Sequence, residues 1–589
     1  MKKFLALLLT VCLLGACTIT ASASDAVLHG YVSDWDNYGL SKDPITLTIG
    51  CGSQDLPASY NDNLQIELIA QATGVRLEFV GYDTEKFAVL TAGGDLPDIF
   101  SLENSTCIND LIDSGAVLDL VPYLDAYGKN ITQVYSDYAL MMAKSVYGEG
   151  EHIYFVPSNV SWLGDVKIPA EQISFNYFPR WDIYQAIGAP AITDENGFNE
   201  DLLLNVFKQM QDYAREKMGS DDVYALSGWV DWGTLWATVL PYCMGAAGKL
   251  NMWTKATTGL VEDIDIYGDV NSHYYDALRF YNKAWRMGIL DPEIFTLTQG
   301  QYDAKVKMGK IVVANDCWFN SGVMDQSVKD IFGDDCNFYI IKGMPYFNGL
   351  LTQSNPSGYG IFAADFINAD CKYPERAVAV LDYLRSDEFT RSSACGLKGI
   401  HWDYDENGKP VFIGEALDAY MSGSMADYWD VPNGNYKYFP VSKLGMASKA
   451  NADGYSSDFT NSADYIMVKD AANESIQNYI KFYGSTARYP GELYLEWIEE
   501  GIAESDAPWS ALTNFKPGAS DEINSLLSKC DAYFVDNHAK VIFADTAEEA
   551  EELIAKMTEY ERTIGSGDLL EDQKVREAAS FETAKEMGF

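Results

Sequence analysis

A chain of 589 residues, 47% of them hydrophobic, can bury more than one core and should form two large lobes. Acidic residues outnumber basic ones 86 to 42, a formal net charge of -44 that disfavours nucleic acid and anionic lipid headgroups as partners. A neutral or cationic solute fits that balance best.

The chain begins with Lys2-Lys3, an apolar run from Phe4 to Leu14 and then Leu14-Gly15-Ala16-Cys17, with no charge until Asp25, the pattern of an export signal over residues 1–17. The run is too short to remain as a bilayer span, and no later stretch reaches about 18 apolar residues. Leu-Gly-Ala-Cys resembles the bacterial lipobox, which makes Cys17 the lipidation site and ties the protein to the outer face of the cytoplasmic membrane by lipid alone. Cleavage after Ala21-Ser22-Ala23 is the competing reading and would release the chain. Residues 18–43, rich in Ser, Gly, Asp and Asn, read as a flexible tether.

From Ile45 the sequence alternates. Ile45–Ile49 is a predicted strand, Leu64–Thr73 a helix stopped by Gly74, and Val75–Val80 a second strand. Glu85–Ala92 continues as a helix, Gly93-Gly94-Asp95-Leu96-Pro97 breaks it, and Asp98–Ser101 enters a third strand. Strands alternating with helices imply an α/β fold with a parallel sheet covered on both faces. Ligands of such sheets sit beyond the carboxyl ends of the strands, so Glu103 and Asn104 are predicted cleft residues. Further helices are expected at Leu202–Glu216, Tyr274–Met287 and Glu375–Leu384, and a strand at Lys310–Ala314. The last hundred residues read as mainly helical, with Glu548-Glu549-Ala550-Glu551-Glu552 on a solvated face.

Eight of the ten cysteines lie beyond the signal and none form CxxC pairs, too sparse for a disulfide scaffold. The five histidines show no zinc spacing, and no phosphate-binding loop is present. Asp403-Tyr404-Asp405-Glu406-Asn407-Gly408 starts like a calcium loop, but its twelfth position is Gly414, and a hairpin turn fits better. No metal, cofactor or catalytic residue is assigned, although 86 acids leave room for a glycoside-cleaving pair whose separation a sequence does not show.

Several stretches together resemble family 1 extracellular solute-binding proteins of ABC importers, in particular the long lipoprotein branch associated with complex oligosaccharides. They are Thr73-Gly74-Val75 leading to Gly94-Asp95-Leu96-Pro97-Asp98-Ile99, then Arg180-Trp181-Asp182 with Gly188, Asp231-Trp232-Gly233, and Gly309-Lys310 before Trp318. The longest runs from Cys371-Lys372-Tyr373-Pro374-Glu375-Arg376-Ala377 through Leu384–Phe389 to Gly399-Ile400-His401-Trp402-Asp403-Tyr404. The resemblance covers almost the whole mature chain. It implies a periplasmic-binding-protein-like fold of two α/β lobes, joined by a hinge of several crossings and closing on a solute. Lobe 1 would hold 44–155 plus 343–372, and lobe 2 would hold 156–342 plus 373–589 with a helical C-terminal segment. The implied function is non-enzymatic: a monomeric receptor that captures a carbohydrate and hands it to the permease subunits.

A sugar needs an aromatic plate for its C–H face and polar groups for its hydroxyls. In an extended Trp229-Val230-Asp231-Trp232, Trp229 and Asp231 share a face and Trp232 takes the other. Arg180 could bind ligand oxygens bidentately or pair with Asp182 as a brace. Trp318 matches the position where maltose-binding-type relatives place a stacking Trp. Trp162, Tyr359 and Trp402 stand in turns near the implied crossings. A surface glycosidase or lyase, an adhesion scaffold, and a peptide or polyamine receptor are the rival readings.

Overall fold

A computed structural model describes residues 33–586 apart from 52–60, 62–63, 103–106, 136–139, 141–142, 159, 163–172, 174, 231–238, 242, 250–251, 256–260, 317–318, 320–322, 348–362, 423–445, 463–464, 466–472 and 506–515. The chain divides into two compact units. Unit 1 is Met1–Ile168 with Asn355–Ile466, and unit 2 is Pro169–Ser354 with Met467–Phe589.

Unit 1 is built on β1 (Ile45–Cys51), α1 (Leu64–Thr73), β2 (Val75–Gly81), α2 (Thr84–Gly93), β3 (Ile99–Leu102), β4 (Val156–Ser158) and β5 (Ala363–Ile367). The strands form one sheet in the order β2-β1-β3-β5-β4. The first three are parallel, and β5 runs antiparallel to both β3 and β4. The alternation Val75-Arg76-Leu77-Glu78-Phe79 fixes the faces of β2, burying the apolar residues and exposing the charged pair. Neighbouring residues of β3 and β5 enter opposite layers. Ile99 and Ile367 join a core with Ile66, Ile69, Val378 and Leu381, and Phe100 and Phe366 join one with Tyr82, Phe87 and Phe155. The sheet is therefore covered on both sides, as the alternation of elements predicts.

The sequence motifs turn out to be joints of this sheet. Asp98 Oδ2 accepts from Thr48 N and Thr48 Oγ1, both at 2.8 Å, which locks β3 to β1. Gly74 has φ 73° and a Cβ there would stand 2.1 Å from the Lys42 carbonyl oxygen, so the turn between α1 and β2 needs glycine. Arg376, at the start of helix α3 (Pro374–Tyr383), donates to the carbonyls of Asp43 and Thr73 and ties that turn down. Arg385 and Asp365 form a fully buried ion pair at 2.8 Å, and Arg385 also donates to the Pro157 carbonyl.

Two sequence-based boundaries are corrected. The tether does not run to residue 43, because Ser33–Tyr38 forms a 3-10 helix on unit 1, with Trp35 buried in its core and Tyr38 donating to Asp382. The lobe limits also move. Residues 156–158 belong to unit 1 because β4 pairs with β5, and 373–466 belong there because α3 packs on the sheet. Residues 343–354 fall in unit 2, where Tyr346-Phe347 pairs with Glu504-Ser505 and the Phe347 ring meets Tyr494 and Trp497.

Unit 2 has its own core, centred on Phe175–Pro179 paired antiparallel with Val313–Asp316. The helix Glu200–Met218 starts at Asn199, whose side chain accepts from Leu202 N, and the helix His273–Arg286 ends against the C-terminal segment. There Asn282 Nδ2 donates to the carbonyls of Val541, Ile542 and Ala544. Three long helices, Asp521–Ile542, Ala547–Ile564 and Ser566–Glu586, close the chain. Ala550 is buried between the exposed pairs Glu548-Glu549 and Glu551-Glu552, the solvated acidic face expected from the sequence.

Candidate functional site

The described residues enclose a pocket of about 560 Å³ within unit 1, between helix α4 (Asp387–Cys395), the hairpin of β6 (Trp402–Tyr404) and β7 (Pro410–Phe412), and the segment 451–453. α4 is capped by Ser386, whose side chain accepts from Phe389 N, and carries Asp387 and Glu388 in its first turn, where the helix dipole favours acids. Gly396 ends it and lets the chain turn back into the hairpin. At the hairpin turn Asp405 accepts from the backbone N–H groups of Asn407 and Lys409, so its carboxylate shapes the turn. Among the described residues no group of three His, Cys, Asp or Glu side chains is placed to hold a metal ion.

Arg391 organises the pocket wall. It is almost fully buried, its two terminal nitrogens donate to the two oxygens of Asp453 at 3.0 and 3.1 Å, and it also reaches the Ser456 carbonyl. Its guanidinium carbon lies 5.1 Å from the Trp402 ring and 5.5 Å from Phe459. Asp387 adds two further ties to the crossing segment, accepting from Ala452 N at its side chain and from Asn451 Nδ2 at its carbonyl. Burial works to raise the Asp453 carboxyl, but the Arg391 guanidinium reverses this and holds it below the ordinary carboxylate value. The Tyr455 N–H and the Tyr404 hydroxyl add to the charge-assisted fork in outweighing burial.

Trp402 and Tyr404 share a face of β6, as alternate strand residues must, and meet edge to face with centroids 5.4 Å apart. Trp402 is only 6% exposed and its indole N–H donates to the Gly396 carbonyl. Tyr404 is 39% exposed, and its hydroxyl donates to Asp453. Lys398 Nζ stands 4.5 Å from the Tyr404 ring. Trp402 thus forms the pocket wall, and Tyr404 presents the open aromatic surface. Donors, acceptors and an aromatic face converge, which is the chemistry a polyhydroxylated ligand requires.

Behind the wall, His401 Nδ1 accepts from Leu397 N at 2.8 Å, and burial holds this imidazole neutral, down at about 4 from an ordinary 6.5. Because the folded value is depressed, the stabilisation is complete above the unfolded value and is lost as pH falls through about 4. The His401 contribution to the stability of unit 1 should therefore fall between about pH 6.5 and 4, and His401→Asn, which keeps an acceptor but does not titrate, should lose less thermal stability than the wild type over that interval.

The other predicted site residues fare differently. Cys17, Glu103, Asn104, Asp231, Trp232, Trp318 and Tyr359 lie outside the described residues. Trp162 has its backbone in a short strand paired with Met446–Lys449, and its side chain lies outside the description. Trp229 is not on an open face: it is 3% exposed, 4.8 Å from the Tyr302 ring in the core of unit 2. Arg180 and Asp182 form the brace rather than a ligand fork. The guanidinium is fully buried, donates through Nε and Nη2 to both carboxylate oxygens, and lies 4.6 Å from the Phe332 ring. Sequence reading passed over Asp387, Arg391, Lys398, Tyr404 and Asp453 as site residues. The period-two spacing of Trp402 and Tyr404 could have found Tyr404, but no local pattern links Arg391 to Asp453, 62 positions away.

No protein-family model matches the chain. A curated relative, Lipoprotein LipO of Bacillus subtilis (strain 168), is 22% identical over 352 residues, and the match spans 58% of this chain and 60% of that protein. Solved structures match over nearly the full length. The Streptococcus pneumoniae ABC-transporter substrate binding protein FusA, an EF-hand mutant in complex with fructo-nystose, aligns over 91% of this chain and 99% of its own at TM-score 0.55 and 15% identity. The alginate-binding protein AlgQ2 gives 0.58 at 13% identity over the same shares. An HMO-binding, ABC-transporter-associated solute-binding protein of Bifidobacterium longum infantis gives 0.55 at 12%, again covering 91% and 99%. The chain therefore has the fold of the extracellular solute-binding proteins of ABC transporters.

Proposed function

We propose that this protein is the solute-binding component of an ABC importer, anchored through Cys17 outside the cell, that captures an oligosaccharide and delivers it intact to the permease subunits. The observation that carries the reading is the near-full-length fold match to binding proteins whose named ligands are saccharides: fructo-nystose, alginate and HMO. The pocket of unit 1 supports it, since Tyr404 offers a plate while Lys398 and the Asp387 and Asp403 carboxylates offer donors and acceptors for hydroxyl groups. The acid excess favours a neutral sugar over an acidic one. Glu103, Asn104, Trp162, Asp231, Trp232, Trp318 and Tyr359 are proposed as ligand contacts as well, and the receptor as a monomer.

The test is a thermal-shift screen of the mature chain against neutral oligosaccharides, acidic oligosaccharides, amino acids and short peptides. A ligand at about 100 times its Kd stabilises by about 2.7 kcal/mol, which is readily seen. The expected result is a hit among neutral oligosaccharides; stabilisation by peptides alone would sink the carbohydrate reading.

A further inference from the structure

The C-terminal helices contain a group that sugar binding does not use. Glu561, on the helix Ala547–Ile564, is fully buried, and among the described residues no nitrogen or oxygen donor reaches either carboxyl oxygen, which leaves only the weak Cys530 thiol beside it. Groups from three packed elements face it: Asp265 and Tyr267 from the loop 261–272, Tyr275 from the helix His273–Arg286, and Cys530, Asp531 and Tyr533 from the helix Asp521–Ile542. The two neighbouring aspartates have donors of their own. Asp265 accepts from Ser566 Oγ at 2.6 Å and from Gly268 N at 2.9 Å, and Asp531 accepts from Tyr267 O–H at 3.3 Å. The adjacent cation, Arg562, spends its Nε on the Gly268 carbonyl. Asp265 and Asp531 each have a donor and Glu561 has none of nitrogen or oxygen, so a charge on Glu561 is the one the packed elements serve least.

We propose that Glu561 is a proton-operated latch: with its carboxyl protonated, the loop 261–272 and the helices Asp521–Ile542 and Ala547–Ile564 pack tightly around it, and its deprotonation loosens them locally. Burial, reinforced by Asp265 and Asp531 and opposed by the Cys530 thiol, pushes the carboxyl up to about 7 from an ordinary 4.5. A raised folded value means the stabilisation is complete below 4.5 and is lost as pH rises through about 7. Burial pushes His538, on the helix Asp521–Ile542, down to about 4, outside that upper range. The latch would let the acidity of the surroundings set how firmly the C-terminal helices hold, independently of any ligand.

Hydrogen exchange on the mature wild-type chain at about pH 5.5 and about pH 8, corrected for intrinsic rates, reads this directly. Protection in the three elements should fall at least about tenfold at the higher pH while the unit 1 sheet keeps its protection. Glu561→Gln should show equal protection at both values, and Asp531→Asn, by removing a neighbouring charge, should move the wild-type transition to lower pH. Equal wild-type protection at the two values overturns the latch, whether or not either variant folds; so does a Gln variant that loses protection as the wild type does.

Discussion

Replacing Arg391 with Met should cost unit 1 about 2–3 kcal/mol of stability and weaken saccharide binding at least about tenfold. The cause is specific. Among the described residues Arg391 is the cation paired with Asp453, which in turn holds the Tyr404 hydroxyl, while its flat guanidinium lies against Trp402. Without it the Asp453 carboxylate loses the partner that holds its value down, and the pocket wall loses its register to α4. Arg391→Lys should recover only part of the loss, because an ammonium cannot make two parallel bonds to one carboxylate. Calorimetric titration and thermal unfolding of the two variants check this, and full recovery by Lys would show that charge alone, not the fork, shapes the wall.

The second large effect lies deeper in the sheet. Asp365→Ala should destabilise unit 1 by about 3–5 kcal/mol, because Arg385 would remain as an uncompensated charge in a site with no exposure. Asp365 sits in the middle of β5, paired with both β3 and β4, so the loss should appear as early unfolding of the sheet and not as a local change at the pocket. Replacing both partners with apolar residues of similar volume should be far milder than removing Asp365 alone. Chemical denaturation of unit 1 probes would separate the outcomes; a double variant as unstable as the single one would contradict the argument.

The parts of the fold legible in the sequence were those written locally. Leu64–Thr73 and the alternating strand from Val75 followed from period and from Gly74, and their ends agree with the observed elements to within a residue. The motifs at Asp98 and Arg376 were recognisable, but their work as joints depends on partners some 50 and 300 positions distant, which no periodicity reveals. The same limit explains the site. Trp229, sharing a face with Asp231 in an extended reading, looked like a plate, yet its ring packs against Tyr302 in the core. Arg180 and Asp182, two positions apart, satisfy one another before any ligand can. Tyr38 and Trp35 looked like tether because a short polar stretch carries no period, and only the packing against α3 and Asp382 shows that they belong to the body.

The most direct test of the account is calorimetric titration of the mature chain with a neutral oligosaccharide from the screen, followed by mass spectrometry of the sugar recovered from the cell. The account predicts saturable binding at one site, loss of that binding in Arg391→Met, and a recovered sugar of unchanged mass. A shortened sugar would contradict the receptor reading in favour of a glycoside-cleaving enzyme, and saturable binding that Arg391→Met leaves untouched would remove the unit 1 pocket from the site.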